Sequence, residues 1–101
     1  MALHMAGTPI AAMASVHCAA ATENFLVLEN HSVDNPWWDD MVTGLPNPII
    51  RDGYIDVPDT PGLGIELNDE VVREHMHESE TEYFASTADW DGERSHDRLW
   101  S

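Results

Sequence analysis

The chain has 101 residues, room for at most one small domain, and its nineteen acidic side chains face four arginines and no lysine, for a formal net charge of −15. That balance argues against nucleic acid or an anionic membrane as a partner. Cys18 is the single cysteine, which excludes an internal disulfide.

Residues 1–21 are small and apolar, but no positive charge leads them and His4, Pro9 and His17 interrupt the run, so an export signal is not expected. No stretch approaches the roughly eighteen apolar residues of a membrane span, and the expected location is cytoplasmic. After a short lead carrying His4, Thr8 is placed to cap a helix whose first turn takes Pro9, where the missing proline N–H is an orphan in any case. From Ile10 to Ala21 the residues are mostly alanine and apolar. Ile10, Met13 and Val16 or His17 recur at three and four residue steps, which predicts one buried stripe. Cys18 lies inside this helix with no basic neighbour and is expected to be a buried, inert thiol. Glu23 and Asn24 break the pattern. The run Phe25, Leu26, Val27, Leu28, closing at Glu29, predicts a strand buried on both faces of a parallel sheet.

Loop, helix and strand thus follow one another with a histidine at one end and a carboxylate at the other. In an α/β barrel the helix returns the chain to the bottom, so the residue before it and the residue closing the next strand meet at the upper rim, where barrel active sites sit. His4 and Glu29 are therefore the candidate catalytic pair. A solvated terminal histidine and an ordinary loop glutamate are the plain alternative.

Residues 30–48 hold three prolines, a glycine and three aspartates and read as a long irregular loop. Trp37 and Trp38 cannot point the same way, so one is expected to pack inward while the other covers a neighbouring element, with one helical turn starting there and running through Met41. His31, two residues beyond Glu29, could reach the same rim but reads first as a solvated loop histidine. Asp52-Gly53, between Ile49–Arg51 and Tyr54–Val57, predicts a type I′ hairpin, because both central residues of that turn need positive φ. Pro58 and Pro61 then stop pairing, and the GLG that follows is a structural turn, too short for a phosphate loop and with no lysine after it. Asn68 is a good N-cap for a helix reaching about Met76, with Asp69 and Glu70 favourably placed in its first turn. His75, His77 and Glu78 are poor candidates for a metal site, since i and i+2 diverge on a helix. In the tail, Tyr83, Phe84, Trp90, Leu99 and Trp100 are spaced too irregularly for one helix and look like anchors of an extended segment, with disorder of the isolated chain as the alternative. Asp89, Asp91 and Gly92 only faintly suggest a calcium loop.

The block HMAGTPIAAMASVHCAAATENFLVLENH, followed by WWDDMV and then RDGYIDVPDTPGLGIELNDEVV, resembles the C-terminal end of enolase superfamily proteins of the mandelate racemase and muconate lactonizing type, most closely the gluconate and galactonate dehydratase-like branch. The resemblance covers most of residues 4–72. It implies an α/β chain that is a fragment of a (β/α)7β TIM-type barrel. Residues 1–29 would supply the end of strand seven, helix seven and strand eight, 30–48 an irregular loop, 49–78 the hairpin, PGLG turn and short helix, and 79–101 an irregular C-terminal tail. A complete barrel needs about 250 residues, so the chain is expected to be a piece of a longer protein, from an interrupted gene or begun at an internal methionine.

By the same resemblance His4 takes the place of the general acid/base histidine after the seventh strand, and Glu29 that of the carboxyl group ending the eighth. The parent enzyme would be a lyase that removes the proton α to the carboxylate of an aldonate and eliminates water. Its enediolate would be stabilised by Mg2+ on three carboxylates that are absent from this chain. His4 would act as base at the α carbon or as acid to the β hydroxyl. A protonated Glu29 would hydrogen-bond the developing oxyanion. The fragment alone is expected to be inactive and to bind no Mg2+, its partners being the missing barrel and capping domain, in a parent implied to be a homo-oligomer. Racemase or cycloisomerase chemistry stays open, as do two other readings: a non-functional gene remnant, and a small acidic protein-interaction module built on Trp37, Trp38, Trp90 and Trp100.

A lysine-free, carboxylate-rich surface suits a halophilic source, where mobile cations screen self-repulsion. The thermal unfolding midpoint is accordingly expected to rise steadily as potassium chloride goes from about 0.1 M to about 1 M, over which the screening length falls from about 10 Å to about 3 Å. A midpoint that does not rise with salt, followed by circular dichroism, would count against this.

Overall fold

A computed structural model describes residues 1–32, 34–80 and 82. The chain opens with a strand, β1 (Ala2–Met5), a helix, α1 (Pro9–Ala20), and a second strand, β2 (Val27–Asn30). The two strands pair in parallel with Ala2 opposite Val27, Leu3 opposite Leu28, His4 opposite Glu29 and Met5 opposite Asn30. The ladder continues past both ends: the Leu26 N–H donates to the Met1 carbonyl at 2.8 Å and the His31 N–H to the Met5 carbonyl at 3.1 Å. Two parallel neighbours cannot be joined by a tight turn, so the chain needs a crossover, and α1 provides it.

Thr8 is extended, at φ −72° and ψ 166°, and takes the N-cap position of α1 with Pro9 in the first turn, as expected. Its side chain makes no capping bond; its carbonyl accepts from the Ala12 N–H at 3.0 Å. The buried stripe keeps Met13 and Val16 as expected but not Ile10. Pro9, Ala12, Met13 and Val16 are buried, whereas Ile10 is 38% exposed. Steps of three, four and seven from Pro9 follow one helical face, and Ile10 lies about 100° away from it. Cys18 is exposed, not buried, because two residues beyond Val16 is the opposite side of the helix.

The second strand also departs from expectation. It begins at Val27, and Phe25 and Leu26 precede it as exposed loop residues. Val27 is exposed too. Among the described residues the sheet has two strands with α1 against one face, so the strand is not covered on both sides.

After β2 the chain makes a compact return. Trp38 is 3% exposed and donates its indole N–H to the Gly7 carbonyl at 2.8 Å, while Trp37 packs against His75 in a tilted ring contact, centroids 4.3 Å apart and planes at 31°. One tryptophan inward and one over a neighbour is the expected division. A short 3-10 turn, Asp39–Met41, follows. It leads into β3 (Val42–Thr43), which pairs antiparallel with β4 (Glu66–Leu67), a pairing the sequence did not suggest. A short helix, α2 (Asp69–Glu74), ends the described elements. Asn68 occupies the N-cap position of α2, but its side chain donates to the Asp40 carbonyl at 3.0 Å and makes no capping bond.

The expected hairpin is reduced to its turn. Asp52 and Gly53 have φ of 52° and 81°, and Arg51 and Tyr54 exchange two backbone hydrogen bonds of 2.9 Å. Beyond that bridge, pairing stops, since the Ile49 N–H turns to the Asp39 carboxylate at 3.0 Å. The core gathers Met5, Ala12, Trp38, Met41, Val42 and Ile49, drawing on both halves of the chain. The anchors expected at Tyr83, Phe84, Trp90, Leu99 and Trp100, and the calcium-like Asp89, Asp91 and Gly92, lie outside the described residues. No described helix is long and apolar enough to cross a membrane.

The PGLG turn presses against β3. A Cβ on Gly44 would stand 2.8 Å from the Gly64 carbonyl oxygen, and one on Gly64 (φ +74°) would run into the Pro58 ring and Thr60 Oγ1, whereas one on Gly53 (φ +81°) would meet nothing within 4 Å. Gly53→Ala should therefore cost only about 1 kcal/mol of left-handed strain. Gly64→Ala should cost clearly more, about 2 kcal/mol or above, because steric overlap adds to strain. Chemical denaturation of the two variants reads the difference, and equal losses would contradict the packing described.

Candidate functional site

Successive residues of a strand point to opposite faces, and laterally paired residues of a parallel sheet share a face. The register therefore sorts β1 and β2 into two sets. Leu3, Met5, Leu28 and Asn30 share the face toward α1, where Met5 is buried at 4% exposure and Leu28 packs on the core. Ala2, His4, Val27 and Glu29 share the other. His31, two residues past Glu29 and held in line by its N–H to the Met5 carbonyl, joins that second face.

The two predicted site residues are thus brought together. His4 lies within β1 and does not follow it, Glu29 lies within β2 and does not close it, and they are direct register partners. His31, read as a solvated loop residue, belongs to the same constellation. Its Nε2 is 3.0 Å from Glu29 Oε1, and its ring centroid is 4.9 Å from that of His4. One ligand-type atom from each of the three lies within 4.8 Å of the others. The signal for His31 was present as the two-residue step from Glu29, provided the strand continued through Asn30 and the pairing beyond it.

All three side chains are solvent-facing, those of His31 and Glu29 being 51% and 57% exposed. An imidazole beside a carboxylate, on a face that no described helix covers, can accept and return a proton and can hydrogen-bond a carboxylate or hydroxyl placed over the strands. The other described histidines have different surroundings. His17 Nε2 is 3.3 Å from the Leu63 carbonyl, His75 lies on Trp37, and His77 Nδ1 is 2.8 Å from Ser79 Oγ. Asp39 and Asp40 bind the Ile49 N–H and the Asn47 amide and so serve the fold.

Residues 1–71 match the family model described as Enolase C-terminal domain-like. The chain is 42% identical over 81 residues to a D-xylonate dehydratase from Haloferax volcanii, an alignment covering 80% of this chain and 19% of that protein. It also resembles the crystal structure of a mandelate racemase/muconate lactonizing enzyme-like protein from Rubrobacter xylanophilus DSM 9941, with a TM-score of 0.71 and 45% identity over 76% of this chain and 19% of the other. The chain spans about a fifth of the length of these relatives.

The His31–Glu29 contact is open to water, so it should contribute little to stability. His31→Ala is expected to change the unfolding free energy by less than about 1 kcal/mol, measured by denaturant titration. A larger loss would mean that His31 holds the strands in place.

Proposed function

Because the chain belongs to the Enolase C-terminal domain-like family, we propose that it supplies the last βαβ unit of a (β/α)7β barrel in an acid sugar dehydratase and is inactive by itself. The observation that carries this reading is the shared rung of His4 and Glu29 on the face turned away from α1, which in a closed barrel is the inner face, beneath the mouth where such enzymes bind substrate. The outer side supports it as well. Leu26 and Tyr54, 78% and 77% exposed, border a groove of about 640 Å³ between α1, β2 and the Asp52-Gly53 turn. Asn30 Nδ2, also on that groove, is buried with no hydrogen-bond partner among the described residues. Exposed apolar surface and an orphaned amide donor are both costly, and the rest of a barrel would cover the one and satisfy the other.

The reaction is the β-elimination of water from an aldonate. The C–H bond α to the carboxylate breaks, its electron pair forms the enediolate, the β C–O bond then breaks, and hydroxide leaves as water on receiving a proton. His4 takes the α proton or delivers the proton to the departing hydroxyl. Glu29, protonated, donates to the oxyanion that develops on the substrate carboxylate. His31, hydrogen-bonded to Glu29, orients that carboxyl group.

Magnesium does not fit the residues present. Mg2+ requires about six oxygen donors at roughly 2.0–2.1 Å, and the one three-residue cluster of potential ligands among the described residues is two imidazoles and a carboxylate. In the parent enzyme it would be held by carboxylates of other strands.

Joining this chain to the upstream part of a homologous dehydratase tests the reading. The joined protein should dehydrate an aldonate such as D-xylonate in the presence of magnesium, and His4→Asn should lower kcat by about 10²–10⁴-fold. Full turnover by His4→Asn would remove the histidine from the mechanism, and inactivity of a folded joined protein toward all aldonates would remove the dehydratase reading.

A further inference from the structure

The donor set that rejects magnesium suits a different class of cation. We propose that His4, Glu29 and His31 form a binding site for a d-block divalent ion of the zinc type, with two imidazole nitrogens and one carboxylate oxygen as ligands. Zinc takes nitrogen and carboxylate donors at about 2.0–2.2 Å, and sites with three protein ligands of this kind keep a further position open.

The backbone already does most of the assembly. His4 and Glu29 occupy one rung, His31 is tied to the same ladder through Met5, and strand periodicity turns Glu29 and His31 to one side. Tetrahedral donors around zinc stand about 3.3 Å apart. The ligand atoms here lie within 4.8 Å of one another, with the Glu29 and His31 pair already at 3.0 Å. Side-chain rotation closes the difference, because all three side chains are exposed and none is locked by packing. The net charge of −15 attracts cations in general; the selectivity comes from the nitrogens, which a hard oxygen-seeking ion does not use. The site uses the same three side chains as the dehydratase reading, but its test does not depend on that reading, since cation binding is measured on this chain alone whether or not His4 moves a proton.

The test is a titration of the 101-residue chain with zinc chloride, following the imidazole resonances by NMR. His4 and His31 should shift together and saturate at one equivalent, while His17, His75 and His77 stay in place. His31→Ala and Glu29→Gln should each weaken binding by at least the roughly 10–100-fold that losing a supporting outer partner costs in other metal sites. Magnesium chloride at the same concentration should leave the imidazoles unmoved. The assignment is overturned if zinc leaves His4 and His31 unchanged, if it shifts His75 or His77 equally, if the variants bind as tightly as the parent, or if magnesium reproduces the shifts.

Discussion

The burial of Trp38 is the constraint on which the rest of the molecule depends. Its indole fills the space between the βαβ unit and the returning chain, among Met5, Ala12, Met41, Val42 and Ile49. An aromatic side chain of this size buries about 150–250 Å², which at about 25 cal/mol per Å² stabilises the join by about 4–6 kcal/mol. The N–H, which would be costly to bury alone, reaches the Gly7 carbonyl at the β1–α1 connection. The turn that begins with Trp38 is then a hub for the remaining segments: Asp39 holds the Ile49 N–H, the Asp40 carbonyl accepts from the Asn68 side chain, and the Met41 carbonyl accepts from the Asn68 N–H.

The candidate site follows from the same organisation by exclusion. Because α1 and the core lie against the Leu3, Met5 and Leu28 face, the ionisable residues of both strands, His4 and Glu29, are left together on the other. Neither long-range folding of the loop nor a special turn is needed to assemble His4, Glu29 and His31. Parallel pairing and a two-residue period suffice, and the cluster is built on strands, which hold side chains in more reproducible positions than loops do.

How much of this was legible in the sequence depended on the range of the physics involved. The helix over Pro9–Ala20, the Asp52-Gly53 turn, the α2 start after Asn68 and the division of labour between Trp37 and Trp38 rest on neighbours within a few residues, and all were readable. The pairing of β3 with β4 joins two-residue segments more than twenty positions apart and left no local pattern. On α1, Met13 and Val16 are buried as read but Ile10 is not, because an alanine-rich helix offers little contrast between its sides. Cys18 was expected inside from residue type alone, since an unpaired thiol with no basic neighbour usually packs as a small apolar side chain, and its helical position puts it outside instead. Of the site, the rung joining His4 and Glu29 agrees with the barrel-like order of loop, helix and strand, whereas His31 was passed over because β2 had been ended too early.

Lateral matching of the two strands also governs how the chain tolerates change in length. Extra residues between Ala21 and Asn24, outside both strands, would lengthen the crossover and leave the carboxylate opposite its imidazole. A single residue added between Val27 and Glu29 would instead turn Glu29 toward α1 and bring an apolar neighbour into its place. Homologous chains should accordingly vary freely in the connector and keep one spacing from the strand start to the second imidazole.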